Sequence, residues 1–311
     1  MFDKKTFTYG YEIEWGDVDR RIEIPKELGK WEYCETDIVN MYGEYKGIAC
    51  DPLGIEPFMG GEINTMPTKT WQEQVDLIMK IKDIFLEKGN NPSASCVNHG
   101  HIHIFIPGLK DNISALKKLM KYIMLNQDIS IEKCYNYQHN DEITKMRGTS
   151  YLKYDGGRRM PEYMIDNILN KTENFSDFIR MHCAGKDGVS LGRPFRYAIN
   201  TYNLKHIGTV EFRLFRSSID RNEIEDSFRF VEMFMDSALN DGDSVEEIFK
   251  KNTFNFPKFV WNSELYEGWV KTKYPKERGT KKREFVDLDY VPKELPKMEE
   301  LIKNIDSENI F

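Results

Sequence analysis

Closely spaced cysteine pairs are missing from this chain. Its five cysteines (Cys34, Cys50, Cys96, Cys134 and Cys183) are an odd number with no CxxC among them. That argues against a disulfide framework or a structural zinc knuckle and points to a reducing compartment, the cytoplasm. No run approaches the roughly 18 consecutive apolar residues of a membrane-spanning helix. The opening MFDKKTFTYGYEIEW has no apolar h-region, so no secretory signal is expected. An excess of positive charge is also lacking. The 44 Lys plus Arg stand against 51 Asp plus Glu, a formal net charge of −7. Such a balance disfavours a general nucleic-acid coat protein. No internal repeat recurs at a period of about 20–50 residues. What is plentiful is core material: 40% of the 311 residues are hydrophobic and 13% aromatic, which excludes a disordered chain. The length allows one large α/β or α+β domain, or two small ones.

Pattern and punctuation place the elements. Thr6 to Trp15 alternates and is rich in aromatic and β-branched residues, which predicts a strand. A loop-rich stretch runs from Gly16 to Gly60, followed by a short strand at Gly61–Thr65 that Pro67 ends. Thr70 and Glu73 form a capping box; behind it Trp71, Val75, Ile78, Ile81 and Phe85 recur at helical spacing, and Gly89 marks the stop. Asn98 to Ile106 reads as a strand with His99, His101 and His103 on one face and Ile102, Ile104 and Ile106 on the other. A second helix is expected from about Asn112 to Leu125. The middle, Gln127 to Arg193, reads as long loops and one helix near 160–182. Two strands follow, Arg196 to Asn203 and Thr209 to Phe215, then a helix opened by a capping box at Asp220 and Glu223 and striped by Ile224, Phe228, Val231 and Met235. From Trp269 to Glu299 the chain is strongly charged, with a last helix near Met298–Ile305.

Four predicted strands carry chemistry. Glu12 and Glu14 are two residues apart, so their carboxylates share a face with backbones roughly 7 Å apart. Two anions on a face that packs or lines a cleft raise each other's pKa, a penalty that a divalent cation removes. The alternative is an exposed edge strand with solvated glutamates. In Gly60-Gly61-Glu62, bare backbone permits close approach and Glu62 offers a third hard oxygen, although paired glycines commonly mark only a turn. His99, His101 and His103 are too many imidazoles on one strand face to be core packing alone; such groups ligate metals, donate to phosphates or polarise carbonyls. In Gly208-Thr-Val-Glu211-Phe-Arg213-Leu-Phe215, Val210, Phe212 and Leu214 are expected to face the core. Glu211 and Arg213 face the other way, as an ion pair or as a metal ligand beside a phosphate clamp, for which the planar guanidinium is suited. One sheet would gather Glu12, Glu14, Glu62, Glu211, the histidines and Arg213 into a polar hollow. Hard oxygen donors favour Mg²⁺, and two or three such ions beside an arginine suit phosphoryl transfer.

The order GYEIE, GGEI, HGHIHI, TVEFRLFRSSID resembles the amidoligase family, carboxylate–amine ligases of the glutamine synthetase and glutamate–cysteine ligase fold, over about 210 residues from Tyr9 to Asp220. Glu12 and Glu14 match that family's first acidic pair and Glu62 its second acidic strand. His101 and His103 match its H-x-H strand, and Glu211 and Arg213 its late strand. Tyr197-Ala-Ile-Asn200, with Arg196 in front, resembles the preceding asparagine strand. Where the family carries glycine two residues before the first histidine, this chain has His99, with Gly100 one place later.

The resemblance implies an α+β fold in which a mostly antiparallel, curved sheet lines a funnel-shaped active site with helices on its outer face. Residues 1–250 would form the catalytic domain and 251–311 a charged helical C-terminal extension packed on or near it. It implies ATP held through two or three Mg²⁺ ions (Mn²⁺ as a substitute) on Glu12, Glu14, Glu62 and Glu211. The γ-phosphoryl passes to a substrate carboxylate, and an amine attacks the acyl phosphate to form an amide. Arg213, His101 and Arg196 would act at the reacting groups. His103, Arg193, Lys153 and Arg158, with Arg159 nearby, would reach the nucleotide or an anionic substrate, unless these basic residues merely line a solvated loop.

Other readings stay open. A metal-dependent hydrolase would use the HxHxH strand for zinc or manganese. A kinase of the same fold would stop after phosphoryl transfer, and a binding module would keep the fold without chemistry. Small-molecule carboxylates and amines are the expected partners, with no membrane and with room for a homo-oligomer. The basic segments Lys145–Arg159 and Lys271–Arg283 would suit a nucleic-acid or other anionic acceptor, which the net charge of −7 disfavours. The Lys-, Ile- and Asn-rich composition points to an AT-rich bacterial or phage genome.

Overall fold

The computed structural model describes residues 2–16, 18, 22–32, 60–92, 99–134, 159–183 and 197–257. They form an α+β unit. Six strands, β1 (Thr8–Gly16), β2 (Gly29–Glu32), β3 (Gly60–Thr65), β4 (His99–Phe105), β5 (Ile199–Asn200) and β6 (Thr209–Arg216), make one sheet in the order β2-β3-β1-β4-β6-β5, with every pairing antiparallel. Six α-helices accompany them: α1 (Trp71–Glu87), α2 (Ile113–Cys134), α3 (Glu162–Lys171), α4 (Phe175–His182), α5 (Arg221–Asn240) and α6 (Val245–Lys251). No described helix is long and apolar enough to cross a membrane.

The strand period sorts the sheet into two unlike faces. On β1, Tyr9, Tyr11, Ile13 and Trp15 are buried in the core, as are Ile102 and Ile104 on β4. Helices α1, α2 and α5 pack against the sheet, and α3 and α4 form an outer group against α2. Trp15 sets its ring edge-on to Phe85 of α1 at 6.3 Å, and its indole N–H donates to the Ser218 carbonyl at 3.0 Å. The capping box on α1 forms in full, and Gly89 ends the helix at φ 77°, where a side chain would be strained.

Several expectations needed correction. The predicted loop after Gly16 contains β2, too short to announce itself by alternation. Helix α2 runs nine residues past Leu125, to Cys134. The single helix near 160–182 is two, because Asn174 turns outward to cap α4, accepting from the Asp177 N–H at 3.0 Å. Strand Arg196–Asn203 shrinks to Ile199–Asn200. The box at Asp220 is half formed: its carboxylate accepts from the Asn222 and Glu223 N–H groups, while the Glu223 carboxylate accepts from the Ser218 hydroxyl. On β6 the alternation itself fails. Register slips between Gly100 and Ile102 of β4, so Arg213 and Leu214 together oppose His101. This β-bulge turns Phe215 to the helix side. Phe212 and Phe215, three apart, both reach α5, against Phe234 at 5.3 Å and Phe230 at 6.3 Å.

A boundary at residue 250 falls inside α6. Beyond it Phe254 and Phe256 continue the same core, 5.9 and 5.8 Å from the Phe230 ring. The charged segment Trp269–Glu299 and the helix near 298–305 lie outside the described residues.

A Cβ on Gly100 would stand 1.8 Å from the Tyr11 hydroxyl, because the Tyr11 ring crosses the bare backbone of β4 and is held there beside Phe228 at 5.7 Å. Gly100→Ala is therefore expected to cost about 1–3 kcal/mol, read as a lower urea midpoint; an unchanged midpoint would show that Tyr11 moves freely. His182 is fully enclosed: its Nδ1–H donates to the Phe178 carbonyl at 2.8 Å and its Nε2 accepts from the Thr201 hydroxyl at 2.7 Å. Burial pushes it from 6.5 down to about 4. Between those values the unfolded chain takes up a proton that the folded one refuses. The stability it contributes is thus complete above pH 6.5 and lost as pH falls through about 4, worth roughly 3 kcal/mol. His182→Gln should flatten the stability–pH curve across that window, and parallel curves would refute the assignment.

Candidate functional site

The face opposite the helices is assembled by register, since directly opposed residues of an antiparallel pair point the same way. β1 sets Glu12 between Asn64 of β3 and His101 of β4, Glu14 opposite Glu62, and Gly10 opposite His103. His103 in turn opposes Glu211 of β6, which opposes Asn200 of β5. The bulge adds Arg213 beside His101. Glu12, Glu14, Glu62, Glu211, His101, His103 and Arg213 therefore share one surface, as the sequence led us to expect. Lys153, Arg158, Arg193 and Arg196 lie outside the described residues, and so does the side chain of His99. Arg159 is described and sits elsewhere, in exposed ion pairs with Asp128 at 3.0 Å and Glu162 at 2.8 Å.

Two carboxylates organise the surface. Glu12 accepts at both oxygens, from His101 Nδ1 at 2.5 Å and from His103 Nε2 at 2.8 Å. Burial alone would raise its pKa, but the two imidazole bonds outweigh it and hold Glu12 well below the usual carboxylate range. Glu211, 3% exposed, accepts from Arg213 Nη1 at 2.5 Å on Oε1, and from Asn200 Nδ2 at 2.7 Å and Asn203 Nδ2 at 2.6 Å on Oε2. Here too burial opposes ionisation, and the neighbouring guanidinium and imidazoles reverse it. Arg213 is buried as well; desolvation disfavours its charge, and Glu211 and Glu12 more than restore it.

The two histidines diverge although they are neighbours on one strand. Burial and the Arg213 guanidinium, whose Nη1 is 3.2 Å from Nδ1, pull His101 below its ordinary value despite Glu12. His103 feels the same burial, but its bond to Glu12 prevails and raises it. Its other nitrogen lies 3.1 Å from the Thr209 hydroxyl, so the ring has a partner on each side. The two rings thus shift in opposite directions, His101 toward its neutral form and His103 toward its charged one.

The described residues contain one set with metal-ligand spacing: Glu12, His103 and Glu211 each offer an atom within 4.8 Å of the others. Two carboxylates and an imidazole suit a hard or borderline divalent cation. Thr209, on the far side of the His103 ring, fixes its orientation as an outer partner does in metal sites. Glu14 and Glu62 lie alongside as an opposed acidic pair, which enlarges the negative charge of the surface. Arg213 Nε is buried without a hydrogen-bond partner among the described residues, a donor available to an anion.

Sequence reasoning missed Asn203 and Thr209. Thr209 was visible as the residue two before Glu211. Asn203 was hidden because its place depends on the chain leaving β5 early and turning back. Among known proteins, no protein-family model, curated protein or solved structure matches this chain.

The opposite shifts of two histidines on one strand face are directly measurable. Imidazole NMR should give His103 a midpoint above 6.5 and His101 one below it. Glu12→Gln removes the largest interaction that raises His103 and leaves its burial, so that midpoint should fall. A His103 that titrates identically in both proteins would contradict the network.

Proposed function

We propose that this polar surface is the active site of an ATP- and Mg²⁺-dependent carboxylate–amine ligase, with the funnel-lining sheet of the glutamine synthetase and glutamate–cysteine ligase fold. One observation carries the reading. Carboxylates from residues 12, 14, 62 and 211 converge beside a buried guanidinium on one face of an antiparallel sheet. A surface so acidic binds cations, and an arginine held among carboxylates is a donor set for phosphate oxygens.

The donor set fits divalent cations. Glu12, His103 and Glu211 would hold one, and Glu14 with Glu62 supply the oxygens for a second. Bound Mg²⁺ would neutralise charge on the nucleotide's phosphates. Arg213, paired with Glu211 through Nη1, would offer its remaining donors to the phosphoryl group in transfer. A substrate carboxylate oxygen attacks the γ-phosphorus as the bond to ADP breaks. The amine nitrogen then attacks the acyl carbon, phosphate leaves, and the nitrogen gives up a proton. His101, a buried ring whose surroundings disfavour its charged form, is suited to hydrogen-bond the reacting carboxylate or the leaving phosphate. Small carboxylates and amines are the substrates of this reading. A kinase would share every step up to the acyl phosphate.

A second reading rests on the mixed donor set. An imidazole among carboxylates also suits Zn²⁺ or Mn²⁺, and a metal-dependent hydrolase would use the same residues to activate water.

Calorimetry separates these. ATP should bind in Mg²⁺ buffer and fail to bind in EDTA, and Glu12→Gln and Glu211→Gln should weaken Mg²⁺-dependent binding about 10- to 100-fold. Pooled carboxylates and amines should release ADP together with a mass-shifted amide. ADP with a phosphorylated product and no amide would indicate the kinase, and a co-purified transition metal with no ATP binding the hydrolase.

A further inference from the structure

Glu211 is approached from a side that no motif announces. After β5 the chain makes a 3-10 turn, Tyr202–Leu204, that is bonded throughout. The Asn203 carbonyl gathers the N–H groups of His206, Ile207 and Gly208 at 3.1, 3.0 and 3.1 Å, and Gly208 adopts φ 76° to let the chain re-enter the sheet as β6. The Asn200 side-chain oxygen accepts from the Tyr202 N–H at 3.0 Å. From outside, His182 of α4 accepts from the Thr201 hydroxyl at 2.7 Å. The backbone of Asn203 is therefore fixed, and its amide points back to Glu211 Oε2 at 2.6 Å, beside that of Asn200 at 2.7 Å. Two amide donors occupy one carboxylate oxygen, and only Oε1 is left to face Arg213.

From this geometry we infer that Asn203 is a positioning residue: with Asn200 it locks the Glu211 carboxylate so that Oε1, the oxygen paired with Arg213, is the one a divalent cation would share. This rests on the reading of the polar surface as a cation site and adds how one ligand is held. Glu211 is then a single-oxygen ligand whose angle is set by a turn on the far side of β6. Asn203 touches neither cation nor substrate and acts only through Glu211. Removing an outer partner of this kind commonly costs about 10- to 100-fold in metal affinity.

The test uses the full chain with Mn²⁺ as the probe, titrated by electron paramagnetic resonance, with thermal and urea unfolding in parallel. Asn203→Ala should weaken Mn²⁺ binding at least about tenfold while its unfolding midpoints stay near those of the wild type. In a Glu211→Gln background the same change should cause no further loss, because the residue it positions is already disabled. Thr201→Val keeps the side-chain shape and loosens the turn without touching either asparagine, so a smaller loss of affinity is expected. Mn²⁺ affinity unchanged in Asn203→Ala, or an equal loss with and without Glu211, overturns the proposal. Wild-type protein that binds neither Mn²⁺ nor Mg²⁺ overturns the cation reading itself, and the proposal with it.

Discussion

The ion pair between Glu211 and Arg213 is the constraint around which the polar face is built. Both groups are almost wholly removed from water, a Glu211 to Arg213 contact of 2.5 Å in a setting where either charge alone would be prohibitively costly. A buried pair of this kind adds little net stability, since a well-packed apolar pair would do as well. What it supplies is definition. Arg213 needs Glu211, Glu211 needs the two asparagines for its second oxygen, and Glu12 needs both histidines. Each group is where it is because its neighbour's charge is otherwise unanswered. A cation or phosphate arriving here competes with partners already in place, so binding is an exchange of ion pairs.

Much of this was legible in the sequence, for identifiable reasons. Charged residues two apart within apolar strands name both the strand and the face, so Glu12 with Glu14 and Glu211 with Arg213 were readable directly. The helix at Trp71 was legible from its capping box. Other features depended on tertiary structure. β2 has four residues and owes its existence to the edge of β3 that it pairs with. The break before α4 follows from a local competition, the Asn174 side chain taking a backbone N–H that a continuous helix would have used. Phe254 and Phe256 lie in the segment 251–311 that the sequence assigned to a charged extension, yet they stack on each other at 5.3 Å and pack on the core. Asn203 and Asn200 converge only because the intervening chain folds back.

Gly100 shows how a glycine inside a strand acquires a physical reason. The sequence places it between His99 and His101. The structure supplies a use for it on the opposite face: the bare Cα is the surface over which Tyr11 lies. Core packing and the polar surface thus draw on alternate residues of one short strand, with little freedom to shift either set.

The slip in register opposite His101 extends that economy. A strictly alternating β6 that turned Glu211 and Arg213 toward the polar side would have carried Phe215 with them, leaving a bulky ring among charged groups and a hole between the aromatic side chains of α5 and the C-terminal segment. One extra residue in the ladder works like a gear change. Ahead of it the strand serves chemistry, and behind it the strand serves cohesion. The same eight residues can do both because the two duties are out of step by a single pleat, and any insertion or deletion between Glu211 and Phe215 forces the strand to forfeit one of them.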